Sequence, residues 1–125
     1  MIRRYRAALS SRDFESAADL LDPQLAFYPP KDGLVFGRDD LRGFWTEAAE
    51  EYEHLTSELE PGEIDELPDG RCLSTTRETL RWRESGELAA IVERGVLWKL
   101  EEGRIVEIRV FPSLAAARAA VSVAA

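Results

Sequence analysis

Two arginines on strand-like segments are the side chains whose chemistry most needs a partner. Arg77 lies between Thr75 and Thr79, and Arg94 interrupts a run in which Leu88, Ala90, Val92, Val96, Trp98 and Leu100 alternate. Alternation puts that run on one sheet face. Arg94 is then a lone charge on an apolar face, and Arg77 is expected to reach across the same floor past its short threonine neighbours. Two guanidiniums beside an apolar cavity can clamp a carboxylate or enolate oxygen through charge-assisted hydrogen bonds. The competing reading pairs each with an acid of a neighbouring element, or lets it snorkel to the rim. Tyr5 offers a phenol at an apolar helix position. Phe14, Phe27, Trp45 and Trp98 suit the wall of an apolar ligand site, or plain core. His54 follows Glu50, Glu51 and Glu53, as an exposed imidazole beside carboxylates or as a general base titrating near neutrality. Glu78 alternates away from Arg77 and is expected on the outer face. One His and one Cys cannot build a typical zinc site, and no cofactor is implied.

The elements that must position these groups follow from periodicity. Ile2, Tyr5, Ala8 and Leu9 recur at helical spacing over residues 2–11. Asp13 is the expected N-cap of a second helix over 14–21, which Asp22-Pro23 stops. A short strand runs from Leu25 to Tyr28 and ends at Pro29-Pro30. Gly33 and Gly37 mark a loop, and a third helix opens at Arg38-Asp39-Asp40 with Leu41, Phe44, Trp45 and Ala48 on its apolar stripe. Residues 53–66 read as a polar strand. Three stronger strands follow over 71–83, 88–100 and 104–111, joined by short turns at Gly86 and Gly103. Val106, Ile108 and Val110 are expected to share the inner face. Ile91, Glu93, Leu97, Ile105, Glu107, Arg109 and Phe111 are expected on the outer one, where a second copy could bury them. Pro112-Ser113 starts a closing, alanine-rich helix.

The order α-α-β-α-β-β-β-β-α describes a single α+β domain over residues 1–125. Three helices of the first half would pack on a strongly curved, mainly antiparallel sheet shaped like a cone. The chain is 45% hydrophobic and 32% charged, which is globular rather than disordered. Its net charge of −8 opposes approach to nucleic acid or an anionic membrane. No apolar run approaches the ~18 residues of a membrane span, and the N-terminus lacks the apolar centre of a signal peptide. The lone Cys72 suits a reducing cytoplasm.

Four segments carry a family resemblance: Arg4-Tyr5-Arg6-Ala7-Ala8-Leu9 with Asp13, Leu20-Leu21-Asp22-Pro23, residues Gly37 to Trp45, and residues Leu97 to Val106. In their order the chain resembles the SnoaL-like branch of the nuclear-transport-factor-2-like superfamily, over nearly its whole length. The resemblance implies the cone fold and a pocket. It implies no single reaction, because this fold hosts isomerases, dehydratases, epoxide hydrolases, cyclases and binders. Ketosteroid isomerases use a Tyr matched by Tyr5, but their base falls on Pro29 and their second donor near Val96. Limonene epoxide hydrolases use an Arg matched by Arg77, but its acids fall on Thr79 and Val110, and the water-holding pair falls on Phe27 and Pro29. The acid and histidine of SnoaL-type cyclases fall on Ser113 and Val96. None of these three acid–base sets is present.

The leading expectation is therefore a pocket for a small hydrophobic molecule, with an anionic group suited to the arginines. Its wall would comprise Tyr5, Phe14, Phe27, Trp45, Arg77, Thr79, Arg94, Val96, Trp98 and Val110. An enzyme with a non-standard acid–base set, built on Tyr5 with Tyr28 or His54, is the second reading. A non-catalytic dimerisation or protein-interaction module, its cavity plugged by Trp45 and Trp98, is the third.

Overall fold

The computed structural model describes residues 1–29, 35–51 and 53–124. Four helices, α1 (Ile2–Ser10), α2 (Phe14–Asp19), α3 (Arg38–Glu51) and α4 (Leu114–Ala124), accompany five strands. These are β1 (Leu21–Tyr28), β2 (Leu55–Glu66), β3 (Cys72–Trp82), β4 (Leu88–Glu101) and β5 (Arg104–Phe111). The sheet order is β1-β5-β4-β3-β2. Only β1 and β5 pair in parallel; the other neighbours are antiparallel. The class is α+β, with helices packed on a curved, mostly antiparallel sheet, as the element order predicts.

Local chemistry sets most boundaries where the sequence puts them. Asp13 caps α2, accepting from the Ser16 amide at 3.2 Å and the Ser16 hydroxyl at 2.7 Å, and those bonds lower its carboxyl pKa. The β4–β5 hairpin turns through Glu102 and Gly103, at φ 50° and 77°, the left-handed pair that suits the twist of two antiparallel strands. Strand β1 starts earlier than expected, at Leu21, and carries Asp22-Pro23 in an irregular stretch of the sheet edge. There a proline costs no ladder bond. Pro30 and Gly33 lie outside the described residues.

Two apolar clusters hold the sheet from opposite sides. Ile2 and Tyr5 of α1, Ala17 of α2 and Leu41 of α3 pack on Leu21, Leu25, Val96, Trp98, Ile105 and Ile108 at the inner face. Leu73 and Leu97 point the other way and pack under Ala117, with Leu114 and Val121 of α4. The start of α4 passes close over Gly95. A Cβ there would lie 2.6 Å from the Ser113 carbonyl oxygen and 2.9 Å from Leu114 Cα, so the helix can sit down only because that residue has no side chain.

The expected outer face is therefore revised in three places. Leu97 and Phe111 are covered by the chain's own α4. Ile105 lies on the inner side, fully buried, because the β4–β5 register slips between Lys99↔Glu107 and Leu100↔Ile105. Val106 is the extra residue of that bulge, and one inserted residue reverses the facing of everything beyond it. Arg109 pairs with Glu107 of its own strand at 3.1 Å and lies over the Tyr28 ring at 3.9 Å.

Candidate functional site

A cleft of about 550 Å³ opens between the helices and the inner face of β2, β3 and β4. Leu9 of α1, Phe14 of α2, and Phe44, Trp45, Ala48 and Ala49 of α3 form one wall. Leu55, Leu59, Leu80 and Val92 form the other, and the polar groups Arg12, Ser57, Glu78 and Arg94 complete it. Phe14 and Trp45 stack obliquely, their centroids 5.8 Å apart. Phe44, 61% exposed, stands at the mouth. The helical stripe read from α3 thus does two jobs: Leu41 enters the core, and Trp45 and Ala48 face open space.

Beneath the cleft the floor is filled. Tyr5 packs its edge against Trp98 at 5.7 Å and tilts toward Trp45 at 6.0 Å, and burial pushes its phenol pKa well up. Trp98 donates its indole N–H to the Ser74 hydroxyl at 2.7 Å. The same hydroxyl accepts from Arg6 Nη2 at 2.7 Å. Arg6 Nη2 also reaches the Thr76 hydroxyl at 2.7 Å and the Thr75 carbonyl at 3.0 Å, and the guanidinium lies 5.6 Å from the Trp98 centroid. Arg6 is 3% exposed. Desolvation, with the charge of Arg3, lowers its pKa to about 10.

Of the expected wall residues, Phe14, Trp45 and Arg94 line the cleft. Tyr5, Val96 and Trp98 are buried in the floor behind it, with Val110 packed against them. Phe27 packs on Phe36 instead, paired to it through both backbone amides at 2.8 and 2.9 Å. Arg77 and Thr79 are corrections. Ser74, Thr76, Glu78 and Leu80 pair with Val96, Arg94, Val92 and Ala90 of the inner face, so Arg77 and Thr79 face outward. There Arg77 sits opposite Glu93, 3.8 Å from its carboxylate, with Glu60 across the other ladder. Glu78, expected outside, faces the cleft and accepts a hydrogen bond from Ser57. His54 is exposed near the β3–β4 hairpin, 3.8 Å from Glu53.

The arrangement offers an apolar slot with one carboxylate, Glu78, and two guanidiniums, Arg94 and Arg12, at its polar margins. Arg94 donates to the Glu93 carbonyl at 3.3 Å and has no carboxylate partner among the described residues. Arg6 was not foreseen as buried; its signal was the i+4 spacing from Ile2, which puts it on the edge of α1's apolar face. Among the described residues, no cluster of His, Cys, Asp and Glu is arranged to hold a metal ion, and no helix is long and apolar enough to cross a membrane.

Known structures share this architecture. An NTF2-like protein of unknown function from Burkholderia pseudomallei superposes with a TM-score of 0.66 at 20% identity, covering 91% of this chain and 88% of that one. A protein with a ketosteroid isomerase-like fold from Catenulispora acidiphila, solved in complex with trimethylamine, gives 0.70 at 11%, over 92% and 86%. TerC, co-crystallised with polyporic acid, gives 0.68 at 19%, over 97% and 95%. No curated protein matches the chain. The SnoaL-like domain family matches residues 2–108, the span that holds every strand up to Ile108 and the whole wall of the cleft, and the chain belongs to that family.

Proposed function

We propose that the chain binds a small, largely apolar molecule in the cleft between α3 and the sheet. The observation that carries this is the open slot itself. The core beneath is filled by Tyr5 and Trp98, yet about 550 Å³ remains open above it, walled by Phe14, Trp45, Leu80 and Val92. That volume falls in the range of roughly 300–1,000 Å³ typical of small-molecule sites, which combine an apolar lining with a few placed polar groups. Two fold relatives support the reading, one crystallised with polyporic acid and one with trimethylamine.

The test is calorimetric titration with 2-naphthylacetamide, a neutral aromatic probe, against the parent chain and Ala48→Trp, which fills the slot from α3. The parent should bind, and the variant should lose at least about tenfold in affinity, or ~1.4 kcal/mol, with its circular dichroism unchanged. No binding at millimolar probe, or equal binding by both proteins, would remove the reading.

A further inference from the structure

We propose that the inner end of this cleft receives an anionic oxygen group carried by the ligand, a carboxylate or an enolate, and that Arg6 holds it together with Arg94. The inference rests on the cleft reading and adds a charge class to it.

Among the described residues, Arg6 is a cation without a counter-ion. All three of its hydrogen-bond acceptors are neutral, and all are reached from one nitrogen, Nη2. Nη1 is buried and has no acceptor among the described residues. A charge taken out of water needs a partner or a full set of hydrogen bonds, and here half of the guanidinium fork has neither. Ser74 adds to the excess of donors. Its hydroxyl oxygen already accepts from both Trp98 and Arg6, so both lone pairs are engaged and its own proton is one more donor at the same spot. In a chain of net charge −8, this is a local concentration of unmet positive character.

Its place in the fold ties it to the cleft. Thr76, which accepts from Arg6, stands opposite Arg94 across the β3–β4 ladder. It precedes Glu78 by two residues on the same face, and Leu9 follows Arg6 by one helical turn. Arg94, Glu78 and Leu9 all line the cleft. Arg6 reaches Thr76 from α1 and Arg94 stands opposite Thr76 on β4, so a ligand oxygen that displaces the Arg94 side chain and seats beside Thr76 would meet both residues. Arg94 is the side chain that yields to admit it, being half-buried and held by a single backbone carbonyl at 3.3 Å. Two charged donors on one carboxylate form the strong class of hydrogen bond.

The experiment compares 2-naphthylacetate with 2-naphthylacetamide, which share a shape and differ in charge, by calorimetry at neutral pH on the whole chain. The parent should bind the acetate about tenfold or more tightly than the amide. Arg6→Gln should lose acetate affinity and so abolish that preference. Arg77→Gln, on the opposite face, should keep it. If Arg6→Gln fails to fold by circular dichroism, Arg6→Lys keeps the charge but loses the second nitrogen, and should reduce the preference at least about threefold. Equal affinity for the two probes, tighter binding of 2-naphthylmethylammonium, or a preference that survives in the folded Arg6 variant would overturn this proposal while the cleft reading stands. Binding of neither probe overturns both.

Discussion

The two faces of the sheet accommodate their arginines by opposite means. On the outer face Arg77 lies in the middle of a cross-strand row, Glu60–Arg77–Glu93. Its side chain is 47% exposed, so water screens whatever the row leaves unbalanced. On the inner face Arg6 is almost wholly buried, touches no carboxylate among the described residues and keeps one nitrogen without an acceptor. The outer pattern is one that stability alone accounts for. The inner one is not, because an apolar side chain at that position would remove a desolvation cost of several kcal/mol. Where a fold carries a charge it would be easier to leave out, binding is the natural place to look for the compensation.

The contrast can be strained from either side. The largest effect is expected at the outer seam. Gly95→Val places methyl groups against the Ser113 carbonyl and Leu114 backbone, which must move away, and overpacking of this sort costs about 1–3 kcal/mol. The urea midpoint should fall accordingly while 2-naphthylacetamide still binds; an unchanged midpoint would mean that α4 does not rest on that strand. On the inner face Tyr5 should show itself in alkali. Its phenol is held well above the ordinary value of 10.0 by burial. In the folded chain it therefore keeps its proton where the unfolded chain gives it up. Its stability contribution is intact below about pH 10 and declines above it, by roughly 2 kcal/mol at pH 11.5. Tyr5→Phe should lack this decline, and superimposable alkaline limbs for the two proteins would place the phenol in water. The smallest effect belongs to Arg77. Arg77→Met should change stability by at most about 1 kcal/mol, as exposed ion pairs do. A loss several times larger in thermal melts would make the outer row a structural anchor.

Much of this architecture is legible in the sequence, and each exception has its own physical cause. Strand β4 alternates six apolar residues around Arg94, so its facing is unambiguous and Arg94 falls inside as expected. Strand β3 reads Ser-Thr-Thr-Arg-Glu-Thr between Leu73 and Leu80. With no apolar alternation to fix the parity, Arg77 and Glu78 were exchanged between faces. In β5 a single bulge at Val106 moved Ile105 from outside to core, an event set by backbone pairing rather than by residue type. The closing helix was recognised as a helix. Its partner was not, because only the packing reveals that Gly95 is a seat for it rather than a gap in β4. Arg6 escaped notice for the opposite reason: a charged residue at the margin of a helical stripe is usually solvated, and here the threonines and serine of β3 draw it in.

The parallel pairing of β1 with β5 has a consequence for the order of assembly. β3, β4 and β5 form consecutive hairpins whose contacts are local in the chain, and such contacts close quickly. β1 must instead wait for a strand about eighty residues further on, with Leu21 meeting Ile105 and Tyr28 meeting Arg109. During synthesis, α1, α2 and α3 leave the ribosome before β2 to β5, the strands that make up most of the sheet they will cover. Their apolar stripes, with Tyr5, Leu41 and Trp45 among them, then have only β1 to settle on until the hairpins of β2 to β5 form. The helices that form one wall of the cleft thus wait for most of their sheet, and that interval is when a nascent chain would most need protection from aggregation.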